Sequence, residues 1–225
     1  MKALIYKEFK LAVHPLCYFF ILFFPAMILI PSYPIAIGFI YILVCYPILF
    51  LGASKGEQSN DLLFSTLLPV RKKDIVLARI ITILILQATF ILIMGLYLPL
   101  AMYLEPIISA GSEVPPEIPG LGLNSYVLNL GICIIGLAIS DLIYLSIYYR
   151  KGLSLILSSL CSMIFFGIYI SVFTIALPCL PEFSFLNSMN LGYQFIVLAV
   201  AIIISFFIHL LTYKISAKLL DRVDF

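Results

Sequence analysis

The chain has 225 residues, of which 64% are hydrophobic and 11% charged; 13 Lys and Arg stand against 11 Asp and Glu, for a net charge of +2. An ordinary soluble domain carries about 25% charged residues, so this chain cannot cover a core with a polar skin. A soluble globular protein and a disordered chain are excluded, and the near-balance of charge excludes a nucleic-acid partner. What remains is an all-α polytopic membrane protein, read as a single transmembrane domain over residues 1–225.

Residues 1–14 read as a short amphipathic interface helix. Ile5, Tyr6, Phe9, Ala12 and Val13 share one face, and Lys7, Lys10 and His14 the other. Such a helix lies along the membrane with its cations toward lipid phosphates; the alternative is a frayed cytoplasmic lead. Acidic Glu8, with no small-residue cleavage site after it, argues against a cleaved signal peptide.

A membrane helix needs about 20 apolar residues. From Leu11 to Ser54 only His14 can carry charge, which leaves room for two crossings joined at Pro31-Ser32-Tyr33-Pro34. Ile75 to Leu104 gives a third crossing, Asn124 to Tyr148 a fourth interrupted by Asp141, Gly152 to Leu177 a fifth and Leu191 to Tyr213 a sixth. The runs are too long and too continuously apolar for a β-barrel.

Six crossings place all 13 cations on one side, in the N-terminus, the 55–79 segment, Arg150-Lys151 and the tail. The opposite side, with the Pro31 turn and the 105–123 and 178–190 loops, holds Glu105, Glu113, Glu117 and Glu182 and no cation. By the positive-inside rule both termini of this multi-pass cell-membrane protein are cytoplasmic, and the two long loops are extracellular. Trp is absent, so tyrosines supply the interfacial belt: Tyr97, Tyr103 and Tyr126 on one side, Tyr6, Tyr148, Tyr149 and Tyr213 on the other. The five cysteines form no CxxC pair and read as small apolar residues.

The 55–74 loop reads KGEQSNDLLFSTLLPVRKKD. Ser59 or Asn60 caps a helix start, Asp61 suits its positive end, Leu62, Leu63, Phe64, Leu67 and Leu68 follow, and Pro69 ends it. Apolar groups left in water cost about 25 cal/mol per Å², so this short helix either lies on the membrane surface or docks into another protein.

Glu57, Asp61-Leu62-Leu63, Leu67-Leu68-Pro69-Val70, the basic cluster and Ile75-Val76-Leu77-Ala78-Arg79 together resemble the ABC-2-type permeases of ATP-driven exporters, in particular their small bacterial branch. That branch includes exporters of amphipathic peptides. Leu68 to Val76 keeps the family's register, with Arg71 at its Ser position, Lys72 at its Arg and Arg79 at its Lys. The resemblance implies that the loop between the second and third crossings is a coupling helix for a separate cytoplasmic ABC ATPase. Glu57, Asn60, Asp61, Leu63, Phe64, Leu67, Pro69, Arg71 and Lys72 would make the contact. It also implies a second copy of the permease or a related chain, and a peptide or other hydrophobic cargo. A reading from another class is a non-transporting membrane protein that assembles or anchors a cytosolic partner.

The chain has no phosphate-binding GxxxxGK[ST] loop and no GxSxG or HExxH motif, so neither ATP hydrolysis nor another enzymatic activity, cofactor or metal is expected of it. Asp141, the one carboxylate well inside a crossing, is either a paired or protonated structural residue near the cytoplasmic boundary or part of the transport path or its gate. His209 reads as interfacial. Thr82, Gln87, Ser158, Ser159 and Ser171 read as polar groups that join helices.

Overall fold

The computed structural model describes residues 2–29, 34–49, 70–109, 126–150, 154–176 and 190–222, and every element among them is helical. The elements are α1 (Lys2–Lys7), widened into a π-helical turn over Glu8–Ala12; α2 (Pro15–Phe23), tightened into a 3-10 turn over Phe24–Leu29; α3 (Pro34–Leu49); α4 (Lys72–Ser109); α5 (Tyr126–Arg150); α6 (Leu155–Ser171), with a π-helical turn over Val172–Ala176; and α7 (Leu191–Asp221).

Local chemistry explains the breaks. Val13 N–H donates to the Glu8 carbonyl at 3.0 Å and closes the wide turn. His14 then leaves the helical region, its Nδ1 accepting from Leu16 N–H, and Pro15 opens α2 as its first residue. The result is a bend of 88° between Lys2–Ala12 and Pro15–Leu29. Asn190 caps α7 by accepting from Gly192 N–H at 3.0 Å.

Four of the described helices are long and apolar enough to cross a membrane: Lys72–Leu104, Tyr126–Arg150, Leu155–Thr174 and Leu191–Asp221. The segments expected to make the first two crossings are shorter. Pro34–Leu49 has 16 residues, a rise of about 24 Å against a hydrocarbon core of about 30 Å. Pro15–Leu29 passes only together with the bent N-terminal helix. The third expected crossing is longer than its apolar run. It begins at Lys72, inside the expected coupling loop, and continues to Ser109, inside the expected 105–123 loop.

Side-chain contacts fix the helix directions. Tyr41 meets Phe90 and Tyr46 meets Gln87, so α3 and α4 run antiparallel. Tyr169 meets Ile132 and Ser162 meets Ser140, so α5 and α6 are antiparallel. A Cβ on Gly131 would lie 3.3 Å from Leu198 Cα and 3.4 Å from Ala201 Cβ. Asp141 meets His209 further along, so α5 and α7 run parallel at close approach. This alternation gathers Arg71, Lys72, Lys73, Arg79, Arg150, Lys214, Lys218 and Arg222 at one end of the bundle.

The core is aromatic. Tyr41, Tyr46, Phe90, Tyr144, Tyr148, Tyr149 and Phe166 are all buried between helices. Three tyrosines expected in the interfacial belt, Tyr126, Tyr148 and Tyr149, are therefore core residues, whereas Tyr6 and Tyr103 are exposed. A Cβ on Gly136 would sit 2.6 Å from Phe166 Cε2 and 2.7 Å from Tyr169 Cε1, so the two rings of α6 pack directly on the α5 backbone there. The outer surface is apolar: α6 shows Ile156, Leu160, Ile164 and Ile168, and α7 shows Ile196, Ile203, Phe206, Phe207 and Leu210.

The N-terminal helix turns differently from the expected amphipathic faces. Leu4, Lys7, Glu8, Ala12 and Val13 are buried, while Tyr6 and Leu11 are exposed. Leu4, Glu8 and Ala12 recur every fourth residue on one buried face, and the guanidinium of Arg79 on α4 draws Glu8 inward.

Candidate functional site

Two buried polar centres lie in the bundle. The first is at the cation-rich end. Arg79 and Glu8 are 0% and 2% exposed. Arg79 Nε donates to Glu8 Oε2 at 3.0 Å and Nη2 donates to Oε1 at 3.4 Å. Arg79 Nη1 donates to the Tyr148 hydroxyl at 3.0 Å, and the guanidinium carbon lies 5.6 Å from the Tyr148 ring centre. Lys7 Nζ lies 3.8 Å from Glu8 Oε1. The fork-to-fork geometry of Arg and carboxylate satisfies both charges where water is excluded. It ties α1, α4 and α5 together within two turns of the start of α4.

The second centre is deeper. Asp141 on α5 is 1% exposed. Its Oδ1 accepts from the Tyr46 hydroxyl on α3 at 2.5 Å, and its Oδ2 lies 3.1 Å from His209 Nε2 on α7. Gln87 Nε2 on α4 donates to the Tyr46 oxygen at 3.2 Å. His209 Nδ1 lies 2.7 Å from the Ser205 carbonyl. Four helices thus meet at one carboxyl group. A row of rings joins the two centres: Tyr148 stacks on Tyr144 at 6.1 Å, and Tyr144 lies 5.1 Å from Tyr46. Tyr148, Tyr144 and Asp141 share one face of α5, at spacings of one and two turns.

Of the expected coupling residues, Glu57, Asn60, Asp61, Leu63, Phe64, Leu67 and Pro69 lie outside the described residues. Arg71 is exposed just before α4, and Lys72 is half-buried in its first turn. Asp141 is paired, as one branch of the sequence reading had it. His209 is not interfacial: it is 7% exposed and turned into the bundle, because Asp141 offers it a partner there. Of the polar residues expected to join helices, Gln87 does so, but Thr82, Ser158 and Ser171 bond carbonyls one turn back on their own helices. Ser162, which the sequence did not single out, bonds the Ser140 carbonyl across to α5.

Glu8 and Tyr46 were missed. Glu8 carried a signal: it is an acid in an otherwise basic N-terminus, and Arg79 is a cation set within an apolar run. Tyr46 carried none, being one of 14 tyrosines in apolar surroundings. Among the described residues no group of His, Cys, Asp and Glu has the makings of a metal site. The described cysteines, Cys17, Cys45, Cys133 and Cys161, are free thiols. No protein-family model matches the chain, and neither a curated protein nor a solved structure is significantly similar to it.

Proposed function

We propose that this chain is the permease subunit of an ATP-driven exporter of the ABC-2 type, driven by a separate cytoplasmic ATPase and working as a pair with a second copy or a related chain. Its cargo is an amphipathic or hydrophobic molecule, with a peptide favoured. The observation that carries the reading is the Glu8–Arg79–Tyr148 junction. Its central residue, Arg79, closes the Ile75–Arg79 stretch that resembles the family, shortly after the leucine-rich segment.

A load on the 55–74 segment is delivered to the first turns of α4, where Arg79 grips α1 and α5. Closely packed interiors move as bodies and do not deform continuously. A pull on the loop therefore tilts α4 with its clamped neighbours, and access to the pathway switches from the cytoplasmic to the outer side. The gathering of cations at that end of the bundle supports a cytoplasmic placement for the loop and both termini. The six-crossing topology belongs to the same reading, with the α1–α2 bend lying at the cytoplasmic interface.

The test is co-reconstitution in liposomes with a phosphate-loop ATPase that co-purifies with the chain, beside a variant carrying Leu63→Ser, Phe64→Ser and Leu67→Ser. The expected result is loss of association and of permease-stimulated ATP hydrolysis. Unchanged association and unchanged hydrolysis reject the coupling role. Association of the wild-type pair without movement of labelled peptides or lipids favours the anchoring protein instead.

A further inference from the structure

The hydrogen-bonding arithmetic at Asp141 and His209 leaves one hydrogen to be placed. His209 Nδ1 faces the Ser205 carbonyl at 2.7 Å. A carbonyl oxygen only accepts, and it lies closer than the Ser205 hydroxyl at 3.4 Å, so Nδ1 carries a hydrogen. Nε2 then faces Asp141 Oδ2 at 3.1 Å. A bare ring nitrogen and a carboxylate oxygen both accept, so the contact requires a hydrogen between them. It sits on Nε2, as imidazolium against carboxylate, or on Oδ2, as neutral imidazole against carboxylic acid. Both descriptions are net neutral and hold the same single proton.

The surroundings enforce that occupancy. Asp141 Oδ1 is already committed to the Tyr46 hydroxyl, which Gln87 in turn supports. The titratable groups facing the carboxyl are Tyr41 and Tyr46 from α3 and Tyr144 from α5. Gln87 from α4, Ser205 from α7 and Ser162 from α6 add no charge. The buried cation on α4, Arg79, is engaged by Glu8 and Tyr148, and Lys72 and Lys73 lie in the first turn of that helix. Removing the proton therefore leaves a net negative charge among apolar helices, which is costly in a bilayer.

We propose that Asp141 and His209 form an intramembrane proton-binding site, holding a single proton per chain, whose occupancy fixes α7 against α5. α7 is the helix for which this matters most. Most of its surface is exposed, and between Gln194 and Leu220, buried near its two ends, the inward face other than His209 is small or weakly polar: Ala201, Thr212, Ser216 and Ala217. Without the proton the bare Nε2 of His209 and the Asp141 carboxylate face each other as two acceptors, and the bond that joins α7 to α5 is lost. Opening the seam lets water reach the carboxylate.

The proposal does not rest on the exporter reading, because its test needs no ATPase. The full chain carrying His14→Asn leaves His209 as the one histidine. In lipid nanodiscs with nitrogen-15 histidine, the ring nitrogens are read by solid-state NMR and the Asp141 carboxyl by infrared difference against Asp141→Asn. The expected result at about pH 6 is a protonated Nδ1 together with either a protonated Nε2 and a carboxylate band, or a bare Nε2 and a carboxylic-acid band lost in Asp141→Asn. A bare Nε2 beside an ionised carboxylate overturns the proposal.

The second readout is hydrogen exchange of α7 amides, corrected for its intrinsic pH dependence. From about pH 6 to about pH 9, wild-type exchange is expected to rise at least about tenfold, while Asp141→Asn, which offers an N–H to a bare Nε2, stays flat. Equal behaviour of the two chains overturns the link to α7. If Asp141→Asn does not fold, the neutral pair Asp141→Asn with His209→Gln takes its place.

Discussion

Glu8 and Arg79 stand 71 residues apart in the chain and meet through two hydrogen bonds, with neither side chain more than 2% exposed. The bridge joins the helix that lies before the bend to the helix that begins at Lys72, so the N-terminus is part of the bundle and not an appendage to it.

Removing one partner of this bridge strands the other charge. Glu8→Gln is expected to destabilise the fold by about 3–5 kcal/mol, as is typical when a buried ion pair is broken from one side. Glu8→Gln combined with Arg79→Met is expected to cost less than the sum of the single changes. Thermal unfolding in detergent checks this, read with a thiol-reactive dye on the buried Cys17, Cys45 and Cys133. Additive losses would mean that the two residues are not coupled.

Tyr46→Phe removes the donor to Asp141 Oδ1 and the acceptor for Gln87 together. Leaving buried polar groups unmet costs about 1–3 kcal/mol. The same dye assay is expected to show that loss, and Tyr46→Phe with Gln87→Leu should recover part of it.

Gly136→Ala drives a methyl group into Phe166 and Tyr169, and the Tyr169 ring is tethered by its hydroxyl to the Ile132 carbonyl at 2.8 Å. Overpacking of this kind costs about 1–3 kcal/mol. Gly95→Ala is the control, since nothing lies within 4 Å of its added Cβ. Equal melting of the two variants would show that α5 and α6 are not in contact at Gly136.

The orientation is tested by labelling with a membrane-impermeant maleimide. Lys10→Cys and Lys73→Cys, both exposed at the cation-rich end, are expected to react only in inside-out vesicles. Tyr103→Cys, at the far end of α4, is expected to react from outside intact cells. Reaction of Lys73→Cys from outside would reverse the assigned direction.

The helical class and the sidedness of charge are legible in the sequence because each is a sum over many residues: apolar run length for the one, Lys and Arg positions for the other. The lengths are less so. Lys72 and Ser109 bound one helix because backbone hydrogen bonding continues past the apolar run into charged and Pro-bearing sequence, which hydropathy does not register. The pairing of polar residues is the least legible. Asp141 stands out by being an acid among apolar neighbours, but its partners arrive from α3 and α7, and only the parallel packing of α5 on α7 brings His209 to the same depth. Glu8 illustrates the limit on helical-wheel reasoning: the wheel sorts apolar from basic residues, but the buried face is the one that carries Leu4, Glu8 and Ala12, because Arg79 waits there.

The position of His209 on the last helix has a consequence for biogenesis. While the nascent chain is being threaded into the bilayer, α5 enters with its acid before the histidine that completes it exists. Until α7 emerges, the half-built molecule holds in hydrocarbon a carboxyl group whose Oδ2 lacks its later partner, a feature that membrane quality control can recognise. A message truncated ahead of codon 209 would leave that defect permanent, so arrival of the imidazole marks the moment at which the polypeptide ceases to look unfinished.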